Sequence, residues 1–420
     1  MPARLLVLSN GHGEDLIALR LIEALGRRRP GLAVRVLPLV GKGEAFIDAE
    51  RAGLLQRLGP PAELPSGGFS NQSLAGMLAD LGAGLTSLTW RQWRLVRRWG
   101  RQGEPVLAVG DLLPLLLAWQ SGGPYGFMGT PKSDYTWATP PPASSWPSPL
   151  SDGAHRCKGS EWDPWEWSLM ARPRCKLVAV RDPLTARGLR RHGVAALAPG
   201  NPMMDGLTAA PPPPCLPGRR LLLLPGSRRP EGLANLERLL RALPPELGRG
   251  GPVQLLLATG GHPSPGELAP LLQRLGFSPA TGAAAVPGAT SHWRRERLAL
   301  WQGSGAFARW AGWAELGLAC AGTATEQLTG LGCPALSLPG PGPQFTAAFA
   351  RRQSRLLGGA VEPCGSGEAL GRRLLELLAD PQQRRRLGQR GRRRMGGAGG
   401  SERLAALIDA RLLRTIDGRW

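Results

Sequence analysis

Leu221-Leu222-Leu223-Leu224-Pro225-Gly226-Ser227-Arg228-Arg229-Pro230-Glu231 is a run of four leucines that stops at a Pro-Gly turn and opens into a charged, helix-like stretch. A continuous apolar run has no polar face, so it suits a strand covered on both sides. The turn then gathers backbone amides, a hydroxyl and a guanidinium, an arrangement that receives a diphosphate. The same order recurs downstream. The strand Leu318–Ala321 leads into Gly322-Thr323-Ala324-Thr325-Glu326-Gln327, where hydroxyls and a helix N-terminus suit phosphates. Glu326 or Gln327, one turn in, suits ribose hydroxyls. Val253–Ala258 and Ala335–Leu338 are two more strands. The second runs into Pro339-Gly340-Pro341-Gly342-Pro343-Gln344-Phe345-Thr346. That loop either presents Gln344 and Thr346 to a ligand or only breaks the chain.

The first half of the chain reads the same way. Leu5–Leu8, Val34–Val40, Val106–Val109 and Leu177–Val180 are short apolar runs. Between Glu14 and Arg27, Ile17, Ala18, Leu21, Ile22 and Leu25 recur at helical spacing. Strands alternating with helices predict α/β architecture with parallel sheets. The length of 420 residues suits two such domains. Four prolines, Pro211 to Pro214, form a stiff spacer. The expected division is therefore 1–207, a linker 208–218, a second domain 219–400 and a terminal helix 401–420. Trp119 to Trp167 lacks periodicity and is rich in Gly, Pro and Trp. It reads as an insertion, either a folded one with indoles as local core or a cap over a ligand or bilayer.

The first half holds its own candidates. Ser9-Asn10-Gly11-His12-Gly13-Glu14-Asp15 follows the first strand. Its glycines allow close backbone approach, and its helix N-terminus favours an anion or a polar sugar. It is neither a dinucleotide fingerprint, because Leu16 takes the third glycine position, nor a P-loop. Glu14 and Asp15 also complement the helix dipole. Gly110-Asp111 ends the strand Val106–Val109, where α/β sheets bind ligands. Asp111 is thus either a general base or the N-cap of the next helix.

Composition bounds the rest. The net charge of +21 is nearly all arginine. Genomic base composition explains such a bias as well as an anionic partner does. Arg384 to Arg386 and Arg390 to Arg394 read as a solvated helix face, or as a contact with anionic lipid. The six cysteines form no C-x-x-C pair, which suits a reducing compartment. No metal and no cofactor is expected, since no Asp-x-Asp pair occurs. No signal segment or apolar span is read, so a cytoplasmic location is expected.

The turns Pro225-Gly226-Ser227-Arg228 and Gly322-Thr323-Ala324-Thr325, and the strand ending in Gly110-Asp111, resemble lipid-A-disaccharide synthase. Gly200-Asn201-Pro202-Met203-Met204-Asp205 is similar to that family's Gly-His-Pro-Leu-x-Asp segment. The Asn-Gly-His-Gly-Glu-Asp start and the Pro-Gln-Phe-Thr loop resemble in particular the synthase-related branch found in cyanobacteria. The chain departs from the main family at Gly11-His12-Gly13-Glu14-Asp15, at Glu326-Gln327 and at Asn201. The resemblance implies a GT-B fold, two Rossmann-like domains with parallel sheets facing across a cleft. It implies an inverting, metal-independent hexosyltransferase that moves a sugar of the GlcNAc type from a UDP-sugar to a lipid-linked acceptor.

By the same resemblance Asp111 is the base, and Ser227, Arg228, Thr323 and Thr325 match donor-phosphate positions; the motifs themselves add His12 and Glu14 as further catalytic candidates and complete the two binding sets. Gly226, Ser227, Arg228, Gly322, Thr323, Thr325, Glu326, Gln327 and Gln344 would hold the donor. Asn10, Gly11, Gly13, Asp15 and Asn201 would hold the acceptor. The partners implied are a nucleotide sugar, a lipid-linked acceptor and a peripheral anionic membrane, with no nucleic acid. Two other readings stay open: a nucleotide-sugar 2-epimerase of GT-B type, and a non-catalytic basic protein that binds membrane or nucleic acid.

Overall fold

The computed structural model describes residues 3–59, 85–140, 149–208, 210–282, 285–340, 342 and 345–414. The chain divides into two compact units. The first comprises Met1–Asp134, Leu150–Asp205 and Gly397–Trp420; the second comprises Tyr135–Pro149 and Gly206–Gly396.

The first unit is built on strands β1 (Arg4–Ser9), β2 (Ala33–Pro38), β3 (Gln56–Arg57), β4 (Val106–Gly110), β5 (Tyr125–Gly129), β6 (Cys175–Val180) and β7 (Ala196–Leu197). They form one parallel sheet in the order β3-β2-β1-β4-β5-β6-β7. Successive residues of β1 enter opposite layers, as the two-residue period of a strand requires. Leu5 and Val7 pack with Ile17, Leu21 and Leu25 of the helix His12–Arg28. Leu6 and Leu8 pack with Trp99, Leu115 and Trp162.

The C-terminal segment returns to this unit. Gly400–Ile408 and the π-helical turn Asp409–Leu413 bury Leu404, Ile408 and Leu412 against the helix His12–Arg28. The rest of the expected terminal helix, 415–420, lies outside the described residues. Asp205 holds the start of this helix by accepting from the backbone amides of Gly399, Gly400 (3.2 Å) and Ser401 (2.7 Å).

The second unit carries β8 (Arg219–Leu224), β9 (Val253–Thr259), β10 (Ser278–Ala280), β11 (Ser291–Arg295), β12 (Leu298–Ser304), β13 (Leu316–Ala319), β14 (Ala335–Ser337) and β15 (Val361–Pro363). Their order is β10-β11-β12-β9-β8-β13-β14-β15. The β10-β11 and β11-β12 pairs are antiparallel and the others parallel.

Trp119 to Trp167 differs from its expected form. It is not one irregular insertion, because Tyr125–Gly129 is a fully buried strand within the first sheet. Trp162 is wholly buried against Phe127, with ring centroids 5.5 Å apart and edge-on at 85°. A Cβ at Gly129 would lie 2.5 Å from that indole, so glycine is required there. Tyr135 to Thr139 joins the second unit. Arg355 donates to the carbonyls of Trp137 (2.6 Å) and Thr139 (2.8 Å), and the Arg394 guanidinium lies 3.6 Å over the Tyr135 ring. Trp146 lies outside the described residues. No described helix is long and apolar enough to cross a membrane.

Candidate functional site

In the first sheet the chain leaves β1 towards β2 on one side, while β4 continues on the other. That makes β1/β4 the switch point, where open α/β sheets offer a crevice at the strand C-termini. Register fixes what gathers there. Ser9 pairs with Val109, Gly110 with Gly129, and Gly129 with Val180. The next residues out, Asn10, Asp111, Thr130 and Arg181, therefore share one edge.

The side chains connect along this edge. Asn10 Nδ2 donates to Asp111 Oδ1 at 2.9 Å. The same oxygen accepts from the Leu113 amide at 3.2 Å, so Asp111 is an N-cap as well as a site candidate. Thr130 Oγ1 donates to Glu14 Oε1 at 3.1 Å. Thr130 is itself held by its amide on the Gly110 carbonyl (3.1 Å) and by Arg181 Nη1 on its carbonyl (3.3 Å). Ser9 Oγ donates to Asp15 Oδ1 at 2.5 Å beneath the cluster, where Asp15 is buried.

Two glycines make the approach possible. Gly11 has φ 105° and Gly110 has φ 137°. A Cβ at Gly110 would come 3.1 Å from the Asn10 Cβ and 3.6 Å from Glu14 Cγ. Gly13 lies in the first turn of the helix that begins at His12.

Burial sets the charge state. It pushes Glu14 up from 4.5 to about 7, against hydrogen bonds from its backbone and Thr130 that favour the ionised form, and with the Asp111 and Asp15 charges adding to the rise. Burial also raises Asp111, opposed by the amide of Leu113 and by Lys132. The Asn10 amide oxygen is buried and has no hydrogen-bond donor among the described residues.

Asn201 serves elsewhere in the same unit. Its Oδ1 accepts from the Met203 amide at 3.1 Å and caps the short turn Pro202–Met204, which the helix His12–Arg28 holds through Arg20 Nη1.

In the second sheet the switch point is β8/β13. Leu224 pairs with Ala319, so Pro225-Gly226-Ser227-Arg228 and Cys320-Ala321-Gly322-Thr323 leave side by side. Gly226 has φ 93°, and a Cβ there would sit 3.3 Å from the Cys320 carbonyl. Asn235 Nδ2 holds the Pro225 carbonyl at 3.1 Å. Gln353 Nε2 holds the carbonyls of Ala321 (3.2 Å) and Gly322 (3.1 Å). Arg238 donates to Pro339 O at 2.6 Å, which draws the loop after β14 to the same edge.

Ser227 and Thr323 are exposed and Arg228 is half-buried. Burial lowers Arg228 from its ordinary value, offset by Glu231. Thr325 is wholly buried, and its hydroxyl donates to the Ala321 carbonyl at 2.6 Å. Gln327 is buried and Glu326 half-buried. Gln344 lies outside the described residues.

The edge thus assembles Gly226, Ser227, Arg228, Gly322 and Thr323, while Thr325 braces the turn from inside. Sequence reading missed Thr130, Arg181, Asn235 and Gln353. Thr130 carries the signal that exposed Asp111, a polar residue after a strand-ending glycine, but its strand was not recognised. Asn235 and Gln353 lie inside helices and have no motif around them.

No protein-family model matches the chain, and no curated protein matches it by sequence. Solved structures do match in shape. MnaA of S. aureus, solved with UDP, aligns over 98% of this chain and 97% of its own at TM-score 0.57 and 14% identity. UDP-GlcNAc 2-epimerase of Neisseria meningitidis, bound to UDP-GlcNAc, aligns over 98% and 100% at TM-score 0.53 and 14% identity. MurG of Acinetobacter baumannii aligns over 97% and 100% at TM-score 0.53 and 16% identity. At these identities the likeness establishes the fold: two parallel-sheet α/β units of the GT-B type.

Proposed function

We propose that the chain is a nucleotide-sugar enzyme, an inverting hexosyltransferase that works without a metal and moves a GlcNAc-type sugar from UDP to a lipid-linked acceptor. The observation that carries this reading is the contrast of the two sheet edges. One offers carboxylates, with Glu14 held near neutrality. The other offers Arg228, Ser227, Thr323 and glycine-turn amides.

In this reading the second unit's turns receive the diphosphate. Arg228 and the start of the helix Thr323–Gly330 stabilise negative charge on the departing UDP. Glu14 takes the proton of an acceptor hydroxyl, because a base works best when its pKa lies near the working pH. The acceptor oxygen bonds to the anomeric carbon as the bond from that carbon to the phosphate oxygen breaks, and UDP leaves with the electron pair. Asp111 orients Asn10 by accepting from its Nδ2, and so fixes that side chain beside the carboxylates. This assigns to Glu14 the proton transfer that family resemblance gives to Asp111. The lipid nature of the acceptor rests on the resemblance to lipid-A-disaccharide synthase.

A 2-epimerase reading is supported by the three carboxylates Glu14, Asp15 and Asp111 on one edge and by the likeness to the Neisseria enzyme. Incubation with UDP-GlcNAc and no acceptor separates the two. A transferase returns the sugar nucleotide unchanged, whereas an epimerase yields its C2 epimer. Formation of the epimer would remove the transferase reading.

A further inference from the structure

The helix Leu85–Gly100, LTSLTWRQWRLVRRWG, belongs to no motif used above. One face is core: Leu88, Gln92, Val96 and Trp99 are buried. That face lies beside Leu112–Gln120, the helix Asp111 caps. The other face presents Trp90, Arg91, Arg94 and Arg98, all exposed. Their spacing of roughly one helical turn aligns them in a stripe. Trp90 is 56% exposed and stacks on Trp93 with ring centroids 4.8 Å apart. Arg91, Arg94 and Arg98 take no hydrogen-bond or ion-pair partner among the described residues. The helix contains no acidic residue.

A second basic helix in the molecule sharpens the point. Pro381–Met395 carries seven arginines and no aromatic residue. Several of them are engaged: Arg384 faces Glu315 at 3.5 Å, Arg392 donates to the Leu331 carbonyl, and Arg394 covers Tyr135. Charge alone is therefore abundant in this chain. Arg385, Arg386, Arg390 and Arg393 of that helix are exposed as well, so what sets Leu85–Gly100 apart is the exposed indole beside its unpaired arginines. Indoles prefer the boundary between water and hydrocarbon, and arginines beside them meet anionic headgroups. A single-stranded nucleic acid calls instead for a groove and free aromatic faces. Here the Trp90 and Trp93 faces are stacked on each other.

The position of the helix gives the contact a use. Gln92 Nε2 donates to the Leu39 carbonyl at 2.9 Å, and the Leu39 amide donates to the Ser9 carbonyl at 2.8 Å. Through Gln92 and Leu39 the buried face of the helix is therefore tied to the end of the strand that Asn10 follows.

We propose that Trp90, Arg91, Arg94 and Arg98 dock the first unit onto an anionic phospholipid surface, with the helix lying in the plane of the interface. The proposal rests on the transferase reading only for its purpose, which is to bring a lipid-borne acceptor to the carboxylate edge. The docking itself is independent of catalysis.

The test is cosedimentation of the full chain with vesicles of phosphatidylcholine, alone or mixed with phosphatidylglycerol. One variant combines Trp90→Ser with Arg91→Glu, Arg94→Glu and Arg98→Glu. A control reverses three exposed arginines on the other basic helix, Arg385→Glu, Arg386→Glu and Arg393→Glu. Circular dichroism checks that each variant is folded. Wild type and control should bind the phosphatidylglycerol vesicles, and the helix variant should bind at least about a hundredfold more weakly, since loss of the three arginines alone is worth roughly fivefold each. Trp90→Ser alone should weaken binding to both vesicle types. Equal loss in the two charge-reversal variants would mean diffuse attraction and overturn the proposal. So would undiminished binding by the helix variant, or a requirement for these arginines in binding an oligonucleotide but not vesicles. No nucleotide sugar is present in the assay, so failure of the transferase reading would show separately, as absence of a UDP-dependent shift in melting temperature.

Discussion

In the first unit the residues that follow β1, β4 and β5 are Asn10, Asp111 and Thr130; in the second, those that follow β8 and β13 open the turns of Gly226–Arg228 and Gly322–Thr323. Both sets gather at or beside a switch point of their sheet, and glycine flanks each. They differ in chemistry. Three carboxylates cluster on the first edge, and burial holds Glu14 near 7. The second edge presents a half-buried arginine, hydroxyls and backbone amides. The scaffold supplies a crevice, and the few residues just past the strand ends decide what the crevice can take.

The comparison is broken most directly at Glu14. Glu14→Gln should lower turnover about 10²- to 10⁴-fold while nucleotide binding stays near wild type. In the wild type, activity should rise with pH through about 7, the range in which Glu14 ionises, and the variant's residual activity should lack that limb. Near-normal turnover would return the proton transfer to Asp111. The same group affects stability. In the folded state Glu14 keeps its proton up to about pH 7, whereas unfolded it ionises above about 4.5. Folding is thus penalised progressively as pH climbs through that window. Denaturant midpoints of wild type should fall relative to Glu14→Gln from pH 5 to 8, and parallel curves would contradict the burial argument.

Arg228→Ala attacks the other edge. Loss of a charge-assisted contact should weaken UDP binding roughly ten- to a hundredfold, read by calorimetry. Asp205→Ala touches neither edge. It removes the acceptor for three amides at the start of the C-terminal helix. It should cost about 1–2 kcal/mol in denaturant melts with ligand affinity unchanged. The smallest effect is expected of Thr325→Val, because that hydroxyl faces Ala321 from inside the helix. UDP affinity should stay within about twofold, less than the loss of one hydrogen bond to a ligand. A larger drop would put Thr325 back among the phosphate contacts.

Much of this was legible in the residues. Leu221–Leu224 and Val106–Val109 announce themselves because a strand buried on both faces must be apolar throughout. Tyr125–Gly129 did not, because Gly126 and Gly129 leave space for Leu412 and Trp162, so its pattern reads as loop. The hairpin of β11 and β12 was hidden too. Glu296 at its turn takes φ 51°, a conformation usually signalled by glycine or asparagine. At the site, strand-ending motifs located both edges, but sequence could not tell the buried Thr325 from the exposed Thr323. Nor could it show that Thr130 meets Glu14, which depends on register across β4 and β5. The basic indole face of Leu85–Gly100 went unread, although its Trp-Arg-Gln-Trp-Arg spacing carries it.

The most direct test of the division between edges is a thermal-shift titration with UDP and UDP-GlcNAc on wild type, Arg228→Ala and Glu14→Gln. A ligand bound only by the folded chain raises its melting temperature by mass action. The account predicts a shift in wild type and in Glu14→Gln, and its loss in Arg228→Ala. No shift with either nucleotide, or a shift abolished by Glu14→Gln and kept by Arg228→Ala, would contradict it.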